Sequence, residues 1–87
     1  MNITILEEDK EKLKLRISGA TLTFPFLLAK AIREEGGDAA ANQEHPFLAE
    51  PELLVIGKNP RNLIRNACER IIAQCDEFKS EFNKQVE

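Results

Sequence analysis

The stretch NPRNLIRNACERIIAQCDEFKSEFN, residues 59–83, decides the fold of this chain. Its apolar residues recur at spacings of four, three, four, three and four, which is typical of one face of a helix. Asn59 is a favourable N-cap, and Pro60 suits the first helical position because its missing N–H needs no partner there. We therefore predict a helix over residues 60–83, about 36 Å long. Its apolar stripe consists of Ile64, Cys68, Ile71, Cys75, Phe78 and Phe82.

The predicted helix is too long and too apolar for a small sheet to cover. The strand candidates hold about six residues each, which makes roughly 20 Å of sheet. Leu63, Ala67 and Ile72 widen the apolar arc to roughly 180°, whereas a surface helix usually has an arc of ~100°. We expect the last turns, which carry Phe78 and Phe82, to extend past the sheet and to be covered by another chain.

Two strand candidates come before the first helix and two come after it. Residues 2–7 and residues 12–17 alternate between apolar and polar side chains, which predicts a hairpin with one wet face. Residues 38–43 are predicted to form an edge strand, and residues 52–56 a buried strand. The buried face of the second strand is expected to carry Leu13, Leu15 and Ile17.

The first helix is predicted within residues 23–37. Thr23 can cap it, and Gly36 or Gly37 can take the left-handed conformation that ends it. The predicted order is ββαββα, an α+β fold in two layers with a four-stranded, mainly antiparallel sheet and both helices on one face. The apolar positions of this helix, spaced i, i+3, i+4, i+7 and i+8, are Phe24, Leu27, Leu28, Ala31 and Ile32.

Length and charge narrow the class of protein. The 87 residues suffice for one domain, so residues 1–87 are expected to form a single unit. The net charge of −3 gives no general attraction to nucleic acid or to anionic membranes. The sequence has no secretory N-terminus and no apolar run near the ~20 residues of a membrane span, so we expect a cytoplasmic protein. Cys68 and Cys75 are expected to be core thiols.

The sequence offers no recognisable catalytic chemistry. His45 is the one histidine, and we expect it to make a local hydrogen bond in a turn. Without a glycine-rich phosphate loop, a CxxC pair or a nucleophile beside a base, no catalytic residue, metal site or cofactor is expected. Glu34 and Glu35 are adjacent on a helix, point in different directions and are expected to be solvated.

Three cations surround the positive end of the long helix, where positive charge is unfavourable. They are Lys58, Arg61 and Arg65. Two interpretations remain open. In the first, Glu69, four residues after Arg65, and the solvent relieve the charge. In the second, the three side chains contact an acidic partner surface or a phosphate backbone.

A set of features taken together resembles subunit L of archaeal RNA polymerase, a relative of the N-terminal domain of the bacterial α subunit. The resemblance covers nearly the whole chain. It is carried by the paired first strands, by Leu27-Leu28-Ala29 through Arg33, by Glu44-His45-Pro46-Phe47-Leu48 before an apolar strand, and by Pro60. The family usually has His-Thr-Leu-Gly-Asn at the first helix, where this chain has Leu22-Thr23-Phe24-Pro25-Phe26, so that only Thr23 matches.

The resemblance implies a noncatalytic assembly subunit of a DNA-directed RNA polymerase, itself a nucleotidyltransferase complex. Such a subunit pairs through its helices with the polymerase's D subunit, and this heterodimer forms the platform for the two large catalytic subunits. No cofactor, small-molecule substrate or direct nucleic-acid contact is implied. Some apolar helix residues must instead face the chain's own sheet, and a helical wheel does not say which. The expected interface residues are Phe24, Leu27, Leu28, Ala31, Ile32, Ile64, Cys68, Ile71, Cys75, Phe78 and Phe82.

An alternative of a different class is a free-standing homodimeric domain of the same ββαββα type, which binds a small molecule or regulates another protein. Its ligand pocket would lie between the sheet and the helices. An isolated enzyme is the third interpretation. Expression of the chain alone and together with the D subunit separates the first two, because a free-standing homodimer would ignore that partner.

Overall fold

The computed structural model describes residues 1–19, 21, 23–42 and 50–86. Its order of elements is ββαββα, as predicted. Each neighbouring pair of strands is antiparallel, and the order across the sheet is β1-β2-β4-β3. The prediction of an α+β fold is therefore confirmed, with β3 as the predicted edge strand. The elements are β1 (Asn2–Glu8), β2 (Lys12–Ser18), α1 (Thr23–Glu34), β3 (Asp38–Asn42), β4 (Glu52–Ile56) and α2 (Pro60–Val86).

The core lies between one face of the sheet and the two helices. Leu15 of β2 is paired with Leu53 of β4, and Leu13 with Val55, so these four side chains share the inner face. Leu53 and Val55 are fully buried because β4 has a strand on each side and a helix above it. The helices contribute the buried residues Leu28, Ala29, Ala31, Ile32 and Ala67.

The glycine pair after α1 ends the helix as predicted. Gly36 has a φ of 92°, in the left-handed region that favours glycine. The Gly36 N–H donates to the Arg33 carbonyl at 3.1 Å, and the Gly37 N–H donates to the Ile32 carbonyl at 3.1 Å. These two bonds form a Schellman motif, which satisfies carbonyls that would otherwise lack partners at the helix end.

The long helix begins where the sequence predicts and ends three residues later than residue 83. The N–H of Asn62 lies 3.4 Å from Oδ1 of Asn59, the predicted N-cap. The 27 residues of α2 span about 40 Å. Among the described residues, neither helix combines the length and the apolar character needed to cross a membrane.

The side chain of Leu63, in the first turn of α2, packs against Gly37 and Gly57. A Cβ atom added at Gly37 would lie 2.7 Å from Leu63 Cδ1, and one added at Gly57 would lie 2.8 Å from the same atom. A Cβ atom at either position would force the Leu63 side chain to shift, so the two glycines make room for Leu63 where it lies. The end of α1 and the end of β4 thus form one slot that receives the first turn of α2.

An irregularity in β1 places Glu8, the last residue of the strand, where it contacts α2. The register of β1 against β2 shifts between Ile5 and Glu7, so that Glu8 rather than Glu7 lies on the helix side of the sheet. The guanidinium of Arg61 donates from both Nε and Nη2 to the Glu8 carboxylate, with Nη2 2.8 Å from Oε1. This fork-like contact ties the first turn of α2 to the outer strand of the sheet.

The same contact changes the acidity of the carboxyl. The hydrogen bond from Arg61, together with its positive charge, lowers the pKa of Glu8 below its ordinary value of 4.5. A carboxyl whose pKa is lower in the folded state stabilises the fold above the unfolded pKa. That contribution is lost as the pH falls through the lowered folded value.

Gly37→Ala should destabilise the fold by about 1 to 2 kcal/mol, because the new Cβ overfills the slot occupied by Leu63. Urea unfolding followed by circular dichroism measures the change. Leu63→Ala should remove the clash, so the double variant should lose less stability than the two single variants added together. Additive losses would show that the Leu63 contact is not the cause.

Glu8→Gln should reduce the free energy of unfolding at pH 7 and make no difference once the pH is below the lowered pKa of the folded state, where Glu8 of the parent chain is protonated. Unfolding curves of both chains, recorded across that range, test the sign of the effect. Glu11→Gln makes the same change of charge at another exposed position of the hairpin. An equal pH dependence in both variants would contradict a specific role for the contact with Arg61.

Candidate protein–protein interface

The second half of α2 extends past the sheet, as the length of the predicted helix implies. Residues 72–85 are all exposed. Phe78 is 70% exposed and Phe82 is 53% exposed, and their rings stack on each other with centroids 6.1 Å apart. Large aromatic side chains in water leave apolar area unburied, so this aromatic pair is a candidate contact for another protein.

The inner face of β1 is also uncovered. Ile3 is paired with Ile17 and Ile5 with Leu15, so both isoleucines lie on the side of the sheet that carries the core. They are nevertheless 62% and 46% exposed. The reason is the order of the strands: α1 packs on β3 and β4, α2 packs on β2, and β1 lies outside them.

Between β1 and the first half of α2 lies an open groove of about 320 Å³, which we call the β1 groove. Five of the residues that line it are apolar, and the other two are arginines of α2. Ile72, which is 60% exposed, lies on α2 between the groove and the aromatic pair, on the side of the helix that carries Arg61 and Arg65. The groove is lined by Ile3, Ile5, Leu13, Leu15, Ile64, Arg61 and Arg65.

The structure separates the predicted interface residues into three groups. The first group, Leu28, Ala31 and Ile32, is buried in the chain's own core. The second group is half-buried against that core and consists of Phe24, Ile64, Cys68 and Ile71. The third group is exposed and consists of Leu27, Cys75, Phe78 and Phe82. The prediction that Cys75 is a core thiol is wrong, because this residue lies on the part of α2 that extends past the sheet.

Arg61, one of the three cations at the start of α2, pairs with a carboxylate of the same chain. The carboxylate of Glu8 binds Arg61, and the hydrogen bond between them raises the pKa of the arginine above its ordinary value. Arg65 is exposed and lines the β1 groove, and Lys58 is exposed. The sequence could not indicate the contact of Arg61, because it depends on the irregularity in β1.

A second ionic contact joins the two helices. Arg70 of α2 donates to both carboxylates at the end of α1, with its Nε 3.2 Å from Glu35 Oε2 and its Nη1 3.5 Å from Glu34 Oε2. The hydrogen bond to Glu35 raises the pKa of Arg70 above its ordinary value. The prediction that Glu35 is solvated is wrong, since Glu35 is half-buried in this contact. The contact holds the middle of α2 beside α1.

Sequence reasoning missed Ile3 and Ile5 as parts of the exposed surface. Their alternation with Thr4 predicts a shared face, and that part is correct. Only the order of the strands shows that no element of the described residues covers this face. Phe26, which is 52% exposed, lies off the main stripe of α1. Ala29 also lies off that stripe and is buried, so the sequence held no signal that separates the two.

Some sequence predictions fall outside the described residues. His45 and the Glu44-His45-Pro46-Phe47-Leu48 segment are among them, as is Leu22. Within the described parts of the chain, no three His, Cys, Asp or Glu side chains cluster in a way that could hold a metal ion.

The known proteins that are similar in sequence include DNA-directed RNA polymerase subunits named Rpo11. The chain is 30% identical to DNA-directed RNA polymerase subunit Rpo11 of Methanococcoides burtonii, covering all of both chains. It is 32% identical to subunit Rpo11 of Methanosarcina acetivorans, covering 97% of this chain and 96% of that one. No family model matches the chain.

A solved structure has the same fold. It is the crystal structure of DNA-directed RNA polymerase subunit L from Thermoplasma acidophilum, which superposes with a TM-score of 0.83 at 18% identity. The match covers 97% of this chain and 87% of that chain. With full-length sequence identity at this level and the predicted fold in place, the chain belongs to the family of archaeal DNA-directed RNA polymerase subunit Rpo11, or subunit L.

Proposed function

We propose that this chain is a noncatalytic subunit that pairs with the D subunit of an archaeal RNA polymerase. The pair would form the platform on which the large catalytic subunits assemble, and the protein would act in the cytoplasm as part of that enzyme. Membership of the Rpo11 family supports a role as an assembly subunit. The pairing with the D subunit is our proposal, and the exposed surface of α2 supports it.

The exposed aromatic pair is the observation that carries the proposal. Phe78 and Phe82 lie on the same stripe of α2 as Ile64, Cys68 and Ile71. The first half of that stripe is half-buried by the chain's own sheet and α1, whereas the second half faces solvent. A helix that is apolar on one side along its whole length needs cover along its whole length. A partner that supplies further helices would complete the core.

The buried members of the predicted interface narrow the proposed contact. Leu28, Ala31 and Ile32 are unavailable to a partner because the chain's own core surrounds them. The residues left for the contact with the D subunit are Phe24, Leu27, Ile64, Cys68, Ile71, Cys75, Phe78 and Phe82, and the structure adds Phe26 and Ile72.

The cations at the start of α2 have separate roles in this proposal. Arg61 is held by Glu8 and serves the chain's own fold. Arg65 lines the β1 groove and is exposed, so an acidic side chain of a partner could reach it. Direct binding of nucleic acid by this protein is not part of the proposal, in keeping with the net charge of −3.

Phe78→Asp should strongly weaken pairing with the D subunit while the chain remains folded. A carboxylate placed in a desolvated apolar contact costs several kcal/mol, so we expect pairing to weaken by about 30-fold or more. Co-expression of the two proteins, followed by affinity purification through a tag on the D subunit, measures the pairing. Because Phe78 is 70% exposed in the free chain, circular dichroism should show an unchanged fold.

Ser80→Asp is the matched control. It adds the same charge two residues further along the exposed part of α2, about 160° around the helix from the stripe. This variant should pair as the parent chain does. Normal pairing by Phe78→Asp, or equal loss in both variants, would contradict the proposed contact.

A further inference from the structure

We propose that the outer edge of β3, together with the flank of α1 that carries Phe26 and Arg33, is a docking site for an extended segment of a partner protein. The segment would add to the sheet as a further strand, antiparallel to β3. It would carry an acidic side chain beside Arg33 and apolar side chains at the two positions before it. The site uses neither the stripe of α2 nor the β1 groove, so it does not rest on the pairing with the D subunit.

The hydrogen-bond pattern of the sheet shows which backbone groups β3 turns outward. The N–H of Ile17 donates to the carbonyl of Pro51 at 2.9 Å, in register with the β2–β4 pair. Since hydrogen-bonded pairs alternate along antiparallel strands, the odd-numbered residues of β4 bond to β2 and its even-numbered residues bond to β3. The even-numbered residues of β3 are their partners. The N–H and C=O groups of Ala39 and Ala41 therefore point away from β4, at the edge of the sheet.

One of these outward carbonyls has a donor from α1. Nη1 of Arg33 lies 2.7 Å from the carbonyl oxygen of Ala39 and donates to it. The guanidinium thus takes the place that the N–H of a further strand would have. An arginine side chain binds a carboxylate more strongly than a neutral carbonyl. An incoming strand with an acidic side chain would therefore bond to Ala39 and draw Arg33 onto the acid.

The central residues of β3 lack the features that usually keep other strands away from an edge. Edge strands commonly hold a charged side chain, a proline or a bulge. β3 has alanine at its three central positions, and its register against β4 is regular. Its one charged residue, Asp38, is the first of the strand. The edge is therefore suited to pairing with another strand.

An exposed aromatic side chain lies on the same flank of α1 as Arg33. Phe26 and Arg33 are seven residues apart, so they point in nearly the same direction, about 20° apart. Since Arg33 reaches the edge of β3, Phe26 lies on the flank above that edge. Phe26 is 52% exposed, and a docked segment would cover it.

The spacing places Phe26 toward the far end of β3. Three residues join α1 to β3 and the two elements pack on each other, so they run in opposite directions. Phe26 precedes Arg33 by about 10 Å along the helix. Ala41 follows Ala39 by about 7 Å along the strand. An apolar side chain beside Ala41 would thus pack under Phe26, while an acid beside Ala39 would meet Arg33.

This flank of α1 is turned away from α2. Leu27 and Ala31 line a small cavity together with Ile71 of α2, so their side of α1 faces α2. Phe26 points about 120° away from the middle of that side. We therefore assign Phe26 to this site rather than to the contact with the D subunit.

The other face of the sheet has room for a further side chain of the docked segment. An open cavity of about 400 Å³ lies on that face, and Ala40 and Leu54 are among its lining residues. The two residues are paired across β3 and β4. Because Ala40 is small, an apolar side chain next to it on an added strand would enter the cavity.

Fluorescence anisotropy of a dye-labelled synthetic peptide tests the site. The probe has valine, leucine and glutamate, in this order, between threonines. Antiparallel docking puts the valine beside Ala41, the leucine beside Ala40 and the glutamate beside Ala39. We expect it to bind the full chain with a dissociation constant below about 1 mM. Absence of binding up to about 2 mM would overturn the proposal.

N-methylation of the probe tests whether it binds as a strand. The valine N–H would face β3 and the leucine N–H would face solvent, because the backbone groups of Ala41 point outward and those of Ala40 point to β4. A methyl group on the valine nitrogen should weaken binding by about 10-fold or more. A methyl group on the leucine nitrogen is the matched control and should have little effect. Equal effects of the two methyl groups would refute strand addition.

Ala41→Pro makes the corresponding change in the chain. It removes an outward N–H, which an edge strand tolerates, so circular dichroism should show an unchanged fold. Binding of the probe should weaken by about 10-fold or more, while pairing with the D subunit stays as in the parent chain. Unchanged binding of the probe would overturn the proposal. If Ala41→Pro instead abolishes a self-association seen by sedimentation equilibrium, the edge takes a second copy and the assigned partner is wrong.

A charge swap tests the acidic character of the partner. Arg33→Glu should weaken binding of the probe by about 5-fold or more. A probe with lysine in place of glutamate should bind this variant more tightly than it binds the parent chain, a reversal that a loss of structure would not produce. Lys79→Glu, the same change of charge on the part of α2 past the sheet, should alter neither affinity. A lysine probe without preference for Arg33→Glu would contradict the assigned chemistry.

Discussion

The structure depends on a mismatch of length between one helix and the sheet beneath it. Helix α2 spans about 40 Å, while the sheet and α1 cover it only as far as Ile71. Up to that residue the apolar stripe is packed, and after it the same stripe is in water. An apolar stripe that continues past the core leaves apolar area in water. Association with another chain would bury that area.

Several contacts hold α2 in one position, so that the exposed half points in a defined direction. Leu63 enters the slot between Gly37 and Gly57, Arg61 binds Glu8, and Arg70 binds Glu35. These contacts lie in the first eleven residues of the helix and come from three different elements. A surface that is already ordered loses less conformational entropy on binding, so a helix held in one position can bind a partner at a lower cost.

The inner face of β1 is uncovered because the two helices pack on the other three strands. Two helices cover three strands, and the fourth strand keeps a pair of isoleucines exposed beside the helix. The β1 groove and the aromatic pair are therefore exposed for one reason. The sheet and the two helices do not cover all of each other's apolar surface. A small domain that buries little of its own surface has a thin margin of stability, and a partner that fills both places would add to it.

The sequence by itself determined the elements, their order and the excess of apolar helix surface. Local features decide these, namely the alternation in β2, the glycines after α1, and the cap and stripe of α2. Only the tertiary structure decided which apolar residues remain available. Leu28 and Leu27 are neighbours on one predicted stripe, yet the first is buried and the second is exposed. The two side chains point about 100° apart on α1, and the packing of α1 on β3 and β4 decides which of them faces the core. That packing joins residues that are distant in the sequence, and no local pattern encodes it.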